Sequence, residues 1–211
     1  IGSHNSLSLG IPGEDVEGVL PGVEFLRMAN LGELSRIEGK TIIAGGGDVA
    51  IDAARSALRL GAEKVTILYR RTREEMPARE NEVKDALDEG LEIQYLTAPT
   101  QIVTRDDRVS GIECLCMELG EPDASGRRRP IPIDGSEFTL DADLVIPAIG
   151  QQPHISALEQ IEGLELTRWK TIVADEVTFA THRDGVFAGG DAVKGPWIAI
   201  GAIAAGREAA I

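Results

Sequence analysis

A chain of 211 residues, 43% hydrophobic, is long enough for one large domain or two small ones around a proper core. Its formal net charge of -14 at neutral pH argues against non-specific binding to nucleic acid or to an anionic membrane, both of which call for broad positive surface. No apolar run approaches a membrane span, no signal peptide is visible, and the two cysteines form no framework, which fits a reducing cytoplasm.

The chain opens on Ile1-Gly2-Ser3, which reads as the continuation of a longer protein rather than a start. Residues 1–30 show little periodicity, with a loop-like Leu9-Gly10-Ile11-Pro12-Gly13-Glu14-Asp15 and a short helix expected over 23–31. Residues 41–60 then read as a buried strand, a glycine turn and a helix. The turn, Gly45-Gly46-Gly47-Asp48-Val49-Ala50, has the Gly-x-Gly-x-x-Ala spacing of a dinucleotide-binding fingerprint. Gly45 allows a sharp turn off the strand, Gly47 lets a pyrophosphate approach the backbone, and Ala50 keeps the helix close to the strand. Free N–H groups and the helix dipole would face the anion. The helix stripe is expected at Val49, Ala53, Ala57 and Leu60, with Gly61 as the stop.

Residues 64–70, KVTILYR, suit a parallel strand covered on both faces, and strand, helix and strand within about 30 residues make one βαβ unit. Arg70, Arg71 and Arg73 follow, about 25 positions after Gly45. An NAD site places an acidic residue near there for the ribose 2′-hydroxyl; guanidinium forks suit a 2′-phosphate instead. The expected cofactor is therefore NADPH rather than NADH. The bland alternative is a solvated basic turn paired with Glu74, Glu75 and Glu80.

A second helix is expected over 78–89, with Val83, Ala86 and Leu87 as its apolar stripe, then a strand through Leu91, Ile93 and Tyr95. Residues 101–105, 109–119 and 138–141 read as antiparallel strands of an inserted β-meander, with a turn at Asp106-Asp107 and a polar loop over 120–135. Residues 143–150, DLVIPAIG, return to the parallel type. Short strands are expected at 171–174, 177–180 and 186–188, then Gly189-Gly190-Asp191 and a closing helix over 198–211. Asp191 could accept from a ribityl hydroxyl, and the helix start at Ile198 and Ala199 offers free N–H groups; a Gly-Gly-Asp turn is also commonly structural. Cys114 and Cys116 share a strand face and read as packed thiols rather than a redox pair. His4, His154 and His182 have no metal-ligand spacing, so no metal site is expected.

Four stretches together resemble the glutamate synthase small (beta) subunit and its relatives: Gly45 to Asp52, Leu68 to Ala78, Pro147-Ala148-Ile149-Gly150-Gln151, and Val186 to Asp191. The resemblance covers essentially the whole chain. It implies an NADPH-dependent FAD oxidoreductase in which an NADPH domain (31–147, Rossmann-like α/β with the inserted meander) interrupts an FAD domain represented here by the flanks 1–30 and 148–211. It places Arg70 and Arg71 at the 2′-phosphate, Gly190, Asp191, Ile198 and Ala199 at FAD, and Ala148, Ile149 and Gly150 near the nicotinamide. Such a protein passes hydride from NADPH to FAD and electrons onward to iron–sulfur centres or a partner such as a large glutamate synthase-type subunit.

The sequence carries one dinucleotide fingerprint, whereas the family has an earlier one for FAD and a cysteine-rich iron–sulfur region ahead of it. The chain is thus expected to be part of a longer protein, to hold NADPH without turnover, and to be prone to self-association through exposed apolar surface. A redox-inactive nucleotide-sensing module is the alternative. A thioredoxin-reductase-like enzyme would need a Cys-x-x-Cys pair, and the two cysteines lack that spacing.

Overall fold

The structure, a computed structural model, describes residues 2–123, 126–154, 158 and 161–210. Two compact units emerge, one of residues 6–150 and one combining 1–5 with 151–211. In chain order the elements are β1 (Asn5–Ser6), α1 (Gly22–Asn30), β2 (Lys40–Ala44), α2 (Asp48–Arg59), β3 (Lys64–Tyr69), a 3-10 turn (Arg73–Glu75), α3 (Glu80–Asp88) and β4 (Glu92–Tyr95). They continue with β5 (Thr97–Arg105), β6 (Arg108–Pro122), β7 (Arg128–Pro132), β8 (Phe138–Asp141), β9 (Leu144–Pro147), β10 (Gln151–Gln152), α4 (Asp191–Lys194) and α5 (Ala199–Glu208).

In the larger unit, β4, β3, β2 and β9 form a parallel sheet in that order. Its two central strands are buried from their second residue onward because both faces are covered, while the edge strand β4 is only partly buried. Ile43, Ile67 and Ile146 face one core with Phe25 and the alanines of α2. Their neighbours Ile42, Leu68 and Val145 face a second core with Ile102, Ile112 and Cys114 of the antiparallel sheet. Helices cover one face of the parallel sheet, and β5, β6 and β8 cover the other.

The α2 stripe is turned relative to the expectation: Ala50, Ala53, Ala54 and Ala57 are fully buried, while Val49 and Leu60 are half-buried. Val49 instead faces the start of α1, where a Cβ on Gly22 would lie 3.1 Å from its Cγ1. Residues 6–30, assigned above to a flanking domain, pack within this unit. Phe25 is wholly buried in the first core, and Leu20 N–H donates to Val145 O at 3.0 Å.

Helix α3 begins two residues later than expected, because Ala78 N–H donates to Gly46 O at 3.0 Å and ties the preceding segment to the glycine turn. Leu87, expected in its stripe, is exposed. The expected antiparallel strands form, with β6 pairing both β5 and β8, and Asp106 and Asp107 (φ 52° and 59°) make a two-residue turn.

The expected polar loop over 120–135 is corrected. β6 runs on to Pro122 and β7 pairs with it, making an arm beyond the core sheet. Two prolines, Pro130 and Pro132, concealed this strand in the sequence; they are tolerated because β7 is an edge.

In the smaller unit the short strands expected at 171–174, 177–180 and 186–188 reduce to isolated bridges, Leu166 with Ile172, Ala174 with Thr181 and Ala180 with Phe187. Side-chain turns compete with the ladder there: Asp175 Oδ1 accepts from Val177 N–H, Thr178 N–H and the Thr178 hydroxyl. The closing helix spans Ala199–Glu208, shorter than the 198–211 expected. No helix among the described residues is long and apolar enough to cross a membrane.

Candidate functional site

Parallel strands that share a direction deliver their following loops to one edge of the sheet. Here β2, β3 and β9 bring the Gly45–Ala50 turn, the arginine turn after Tyr69 and the Ala148-Ile149-Gly150 segment to the same edge. The glycine turn and the last segment touch. Ala148 N–H donates to Ala44 O at 2.7 Å, and a Cβ on Gly45 (φ 154°) would lie 2.2 Å from Ala148 O. Gly45 is therefore fixed by close approach as well as by its backbone angle.

Gly46 is required by packing: a Cβ there would meet the Tyr69 ring at 2.4 Å. Gly47 differs from both. It caps α2 with extended backbone (φ -95°, ψ 179°), and a Cβ on it would meet nothing within 4 Å. This is open space at a helix N-terminus, the arrangement a pyrophosphate needs. Asp48 is exposed at the first helical position, Val49 is half-buried, and Ala50 is wholly buried beneath them. Ile149 and Gly150 are exposed, and Gly150 (φ 140°) accepts from Leu7 N–H at 3.0 Å.

The three arginines part company. Arg70 is exposed and makes no ion pair or hydrogen bond among the described residues. Arg71 turns inward and is only 5% exposed. Its Nε donates to Arg128 O at 2.7 Å and its NH2 to Asp123 Oδ2 at 2.9 Å. Arg73 is half-buried and reaches back to Met76 O and Ala78 O at 3.3 and 3.4 Å. The residue presented outward beside the glycine turn is Arg70.

Residues outside the sequence-derived set hold this turn. Thr72 and Glu75 form a capping box, in which Glu75 Oε2 accepts from Thr72 N–H and the Thr72 hydroxyl. Glu75 Oε1 accepts from Arg128 Nε, and Arg128 NH2 also reaches Glu74 Oε2 at 2.9 Å. The Thr72 hydrogen bonds, with Arg128 beside them, hold the Glu75 carboxyl below its ordinary range against the opposing effect of burial. Tyr69 OH donates to Glu75 O at 2.7 Å. The Thr72-x-x-Glu75 spacing was legible as a capping box; the partnership with Arg128, across 53 residues, was not.

In the smaller unit, Gly190 (φ 63°) caps α4, and Asp191 opens that helix half-buried. Gly189 and Gly190 admit α5 closely, since Cβ atoms on them would lie 3.1 Å from Ala205 Cβ and Ala202 Cβ respectively. The pair thus has a packing role whatever it binds. Ile198 and Ala199 stand exposed at the start of α5, with Ile200 and Ile203 exposed further along it. Cys114 is a packed thiol whose pKa burial pushes up to about 12, and Cys116 is a half-buried free thiol.

The chain is 48% identical over 213 residues to the NADP(+)-dependent formate dehydrogenase subunit beta of Moorella thermoacetica, an alignment covering all of this chain and 30% of that protein. It is 39% identical over 225 residues to the NADPH glutamate synthase small chain of Escherichia coli (strain K12), again over all of this chain and 48% of the relative. It therefore spans a third to a half of the length of these curated relatives. The structure of Mycobacterium tuberculosis FprA in complex with NADPH shares the fold, with a TM-score of 0.76 and 20% identity over 99% of this chain and 60% of that one. A family model described as pyridine nucleotide-disulphide oxidoreductase matches residues 1–206, and this chain, with its glycine turn, arginine turn and strand crossover gathered at one sheet edge, belongs to that family.

Proposed function

We propose that this chain is the NADPH-binding portion of a flavoprotein oxidoreductase that passes hydride from NADPH to FAD and electrons onward to iron–sulfur centres or a partner subunit. The observation that carries this reading is the pairing of an open helix N-terminus at Gly47 with an exposed cation at Arg70 that has no partner among the described residues. Gly47 admits a pyrophosphate to the α2 N–H groups, and Arg70 supplies the guanidinium fork for a 2′-phosphate. Arg71, buried against Asp123, supports that turn from behind rather than reaching a ligand. The segment Ala148-Ile149-Gly150 borders the same turn and is assigned to the nicotinamide end.

When bound, the nicotinamide supplies a hydride and the flavin takes it up, so no side chain need act as acid, base or nucleophile. For FAD, Gly190, Asp191 and the start of α5 at Ile198 and Ala199 are the assigned contacts; the rest of the cradle is assigned to the longer protein. The names of the relatives support the nicotinamide assignment and a subunit-type setting. The partner is an electron acceptor, a large glutamate synthase-type subunit among the candidates, and the setting a reducing cytoplasm that suits the two free thiols.

The test is a pair of titrations. NADPH is expected to bind at least about tenfold more tightly than NADH, and Arg70→Ala to remove most of that preference while leaving NADH affinity nearly unchanged. Equal affinities in the unsubstituted protein would sink the reading. Flavin absorption bands in the purified full-length protein test the second cofactor, and their absence would favour a redox-inactive nucleotide-binding module.

A further inference from the structure

The arm formed by the end of β6 and by β7 lies outside both hydrophobic cores, yet it is fastened to the arginine turn at several points. Asp123 at its tip and the backbone of Arg128 hold the buried Arg71 guanidinium. The Arg128 side chain holds Glu75, which is 8% exposed, and Glu74. Glu75 in turn fixes Thr72 through the capping box, and its carbonyl fixes Tyr69. Tyr69 packs on Gly46, and Ala78 N–H donates to Gly46 O. A continuous chain of contacts thus runs from the arm through the arginine turn to the glycine turn.

Within that chain the flanking residues are held by both ends. Tyr69 and Arg71 point inward and are buried, so Arg70 between them is left facing outward with its backbone fixed on either side. A cation held this way loses less freedom on binding an anion than one on a mobile loop. We propose that Arg128 and Glu75 are positioning residues for cofactor selection: they lock the 70–78 turn so that Arg70 is preset for a 2′-phosphate. The inference rests on the NADPH reading given above.

The test uses adenosine 2′,5′-bisphosphate and adenosine 5′-monophosphate as probes, which differ in the 2′-phosphate. The affinity of each is measured by calorimetry on the whole protein. Glu75→Gln is expected to weaken the bisphosphate about tenfold and the monophosphate by less than about twofold. Its sign is diagnostic. Removing a negative charge near a phosphate site would by charge alone tighten the bisphosphate, so weakening points to lost positioning.

Arg128→Ala gives an independent reading, since its side chain is 42% exposed on an edge arm and its loss leaves both cores intact. The same selective loss is expected, with partial recovery in Arg128→Lys, which restores the charge without the fork. Unchanged monophosphate affinity certifies the fold in each variant. Preference for the bisphosphate that survives Glu75→Gln and Arg128→Ala, or that rises in Glu75→Gln, overturns the inference while leaving the Arg70 assignment standing. An unsubstituted protein with no preference overturns both.

Discussion

Gly45 and Gly47 lie two residues apart in one turn, but glycine answers a different demand at each. At Gly45 a Cβ would sit 2.2 Å from Ala148 O on a backbone angle that L side chains avoid. Gly45→Ala is expected to destabilise the protein by about 2 kcal/mol, read from denaturant unfolding. At Gly47 a Cβ would meet nothing, and its backbone is ordinary. Gly47→Ala is expected to change stability by less than about 0.5 kcal/mol yet weaken NADPH about tenfold, because the methyl would fill the open space proposed above for the pyrophosphate. A stable Gly45→Ala variant would refute the close approach; undiminished NADPH binding by Gly47→Ala would refute the pyrophosphate assignment. The arginines divide likewise: Arg71→Ala removes a buried guanidinium together with its bonds to Asp123 and the Arg128 carbonyl, so its effect should appear in melting, whereas that of Arg70→Ala should appear in cofactor preference.

Among elements, the β5–β6 hairpin is closed by Asp106 and Asp107 in left-handed conformation between the paired Arg105 and Arg108. Such a turn matches the twist of the strands it joins and tolerates Asp, Asn or Gly but not a β-branched residue. Asp107→Val is expected to cost about 1 kcal/mol or more in thermal unfolding, and Asp107→Gly to be neutral or stabilising. Equal melting of the two variants would contradict the turn assignment. The β6–β7 arm shows the opposite kind of element, one whose local sequence argues against a strand. Pro130, Pro132 and three consecutive arginines read as loop, and the strand exists because β6 and the buried Arg71 and Glu75 offer partners.

Over the whole molecule, stability should follow the carboxylates. Thr72 and Arg128 hold Glu75 below its ordinary value, Arg55 does so for Glu89, Lys40 for Asp141, and the Thr178 backbone and hydroxyl for Asp175. A carboxyl whose folded pKa is lowered contributes stability that is fully present above its unfolded pKa and is lost as pH falls through the folded value. The melting temperature is thus expected to hold near neutrality and drop as pH falls below about 4, with the deficit of Glu75→Gln against the unsubstituted protein shrinking over the same range. A deficit that grows on acidification would contradict the ionised Glu75. Asp141 and Asp175 sit in solvent-exposed interactions and contribute little each, so the larger losses should come from the more enclosed Glu75 and Glu89.

How much of this was legible in the chain depends on the range of the physics involved. The glycine spacing, the apolar strands and the small third position of the fingerprint are local requirements, written in consecutive residues, and they pointed to a nucleotide-binding βαβ unit and its family. The Asp106-Asp107 turn and the Thr72-x-x-Glu75 box are local too. The strands of the smaller unit were overread, because alternation of apolar residues carries no information about side chains such as Asp175 that capture the backbone first. Arg70 and Arg71 are adjacent in sequence and nearly identical in local context, so sequence assigned them the same task. Which one is presented outward was decided by Asp123 and Arg128, 52 and 57 residues away, which bury Arg71 and leave Arg70 outside. That choice is a matter of tertiary contact, and no spacing rule encodes it.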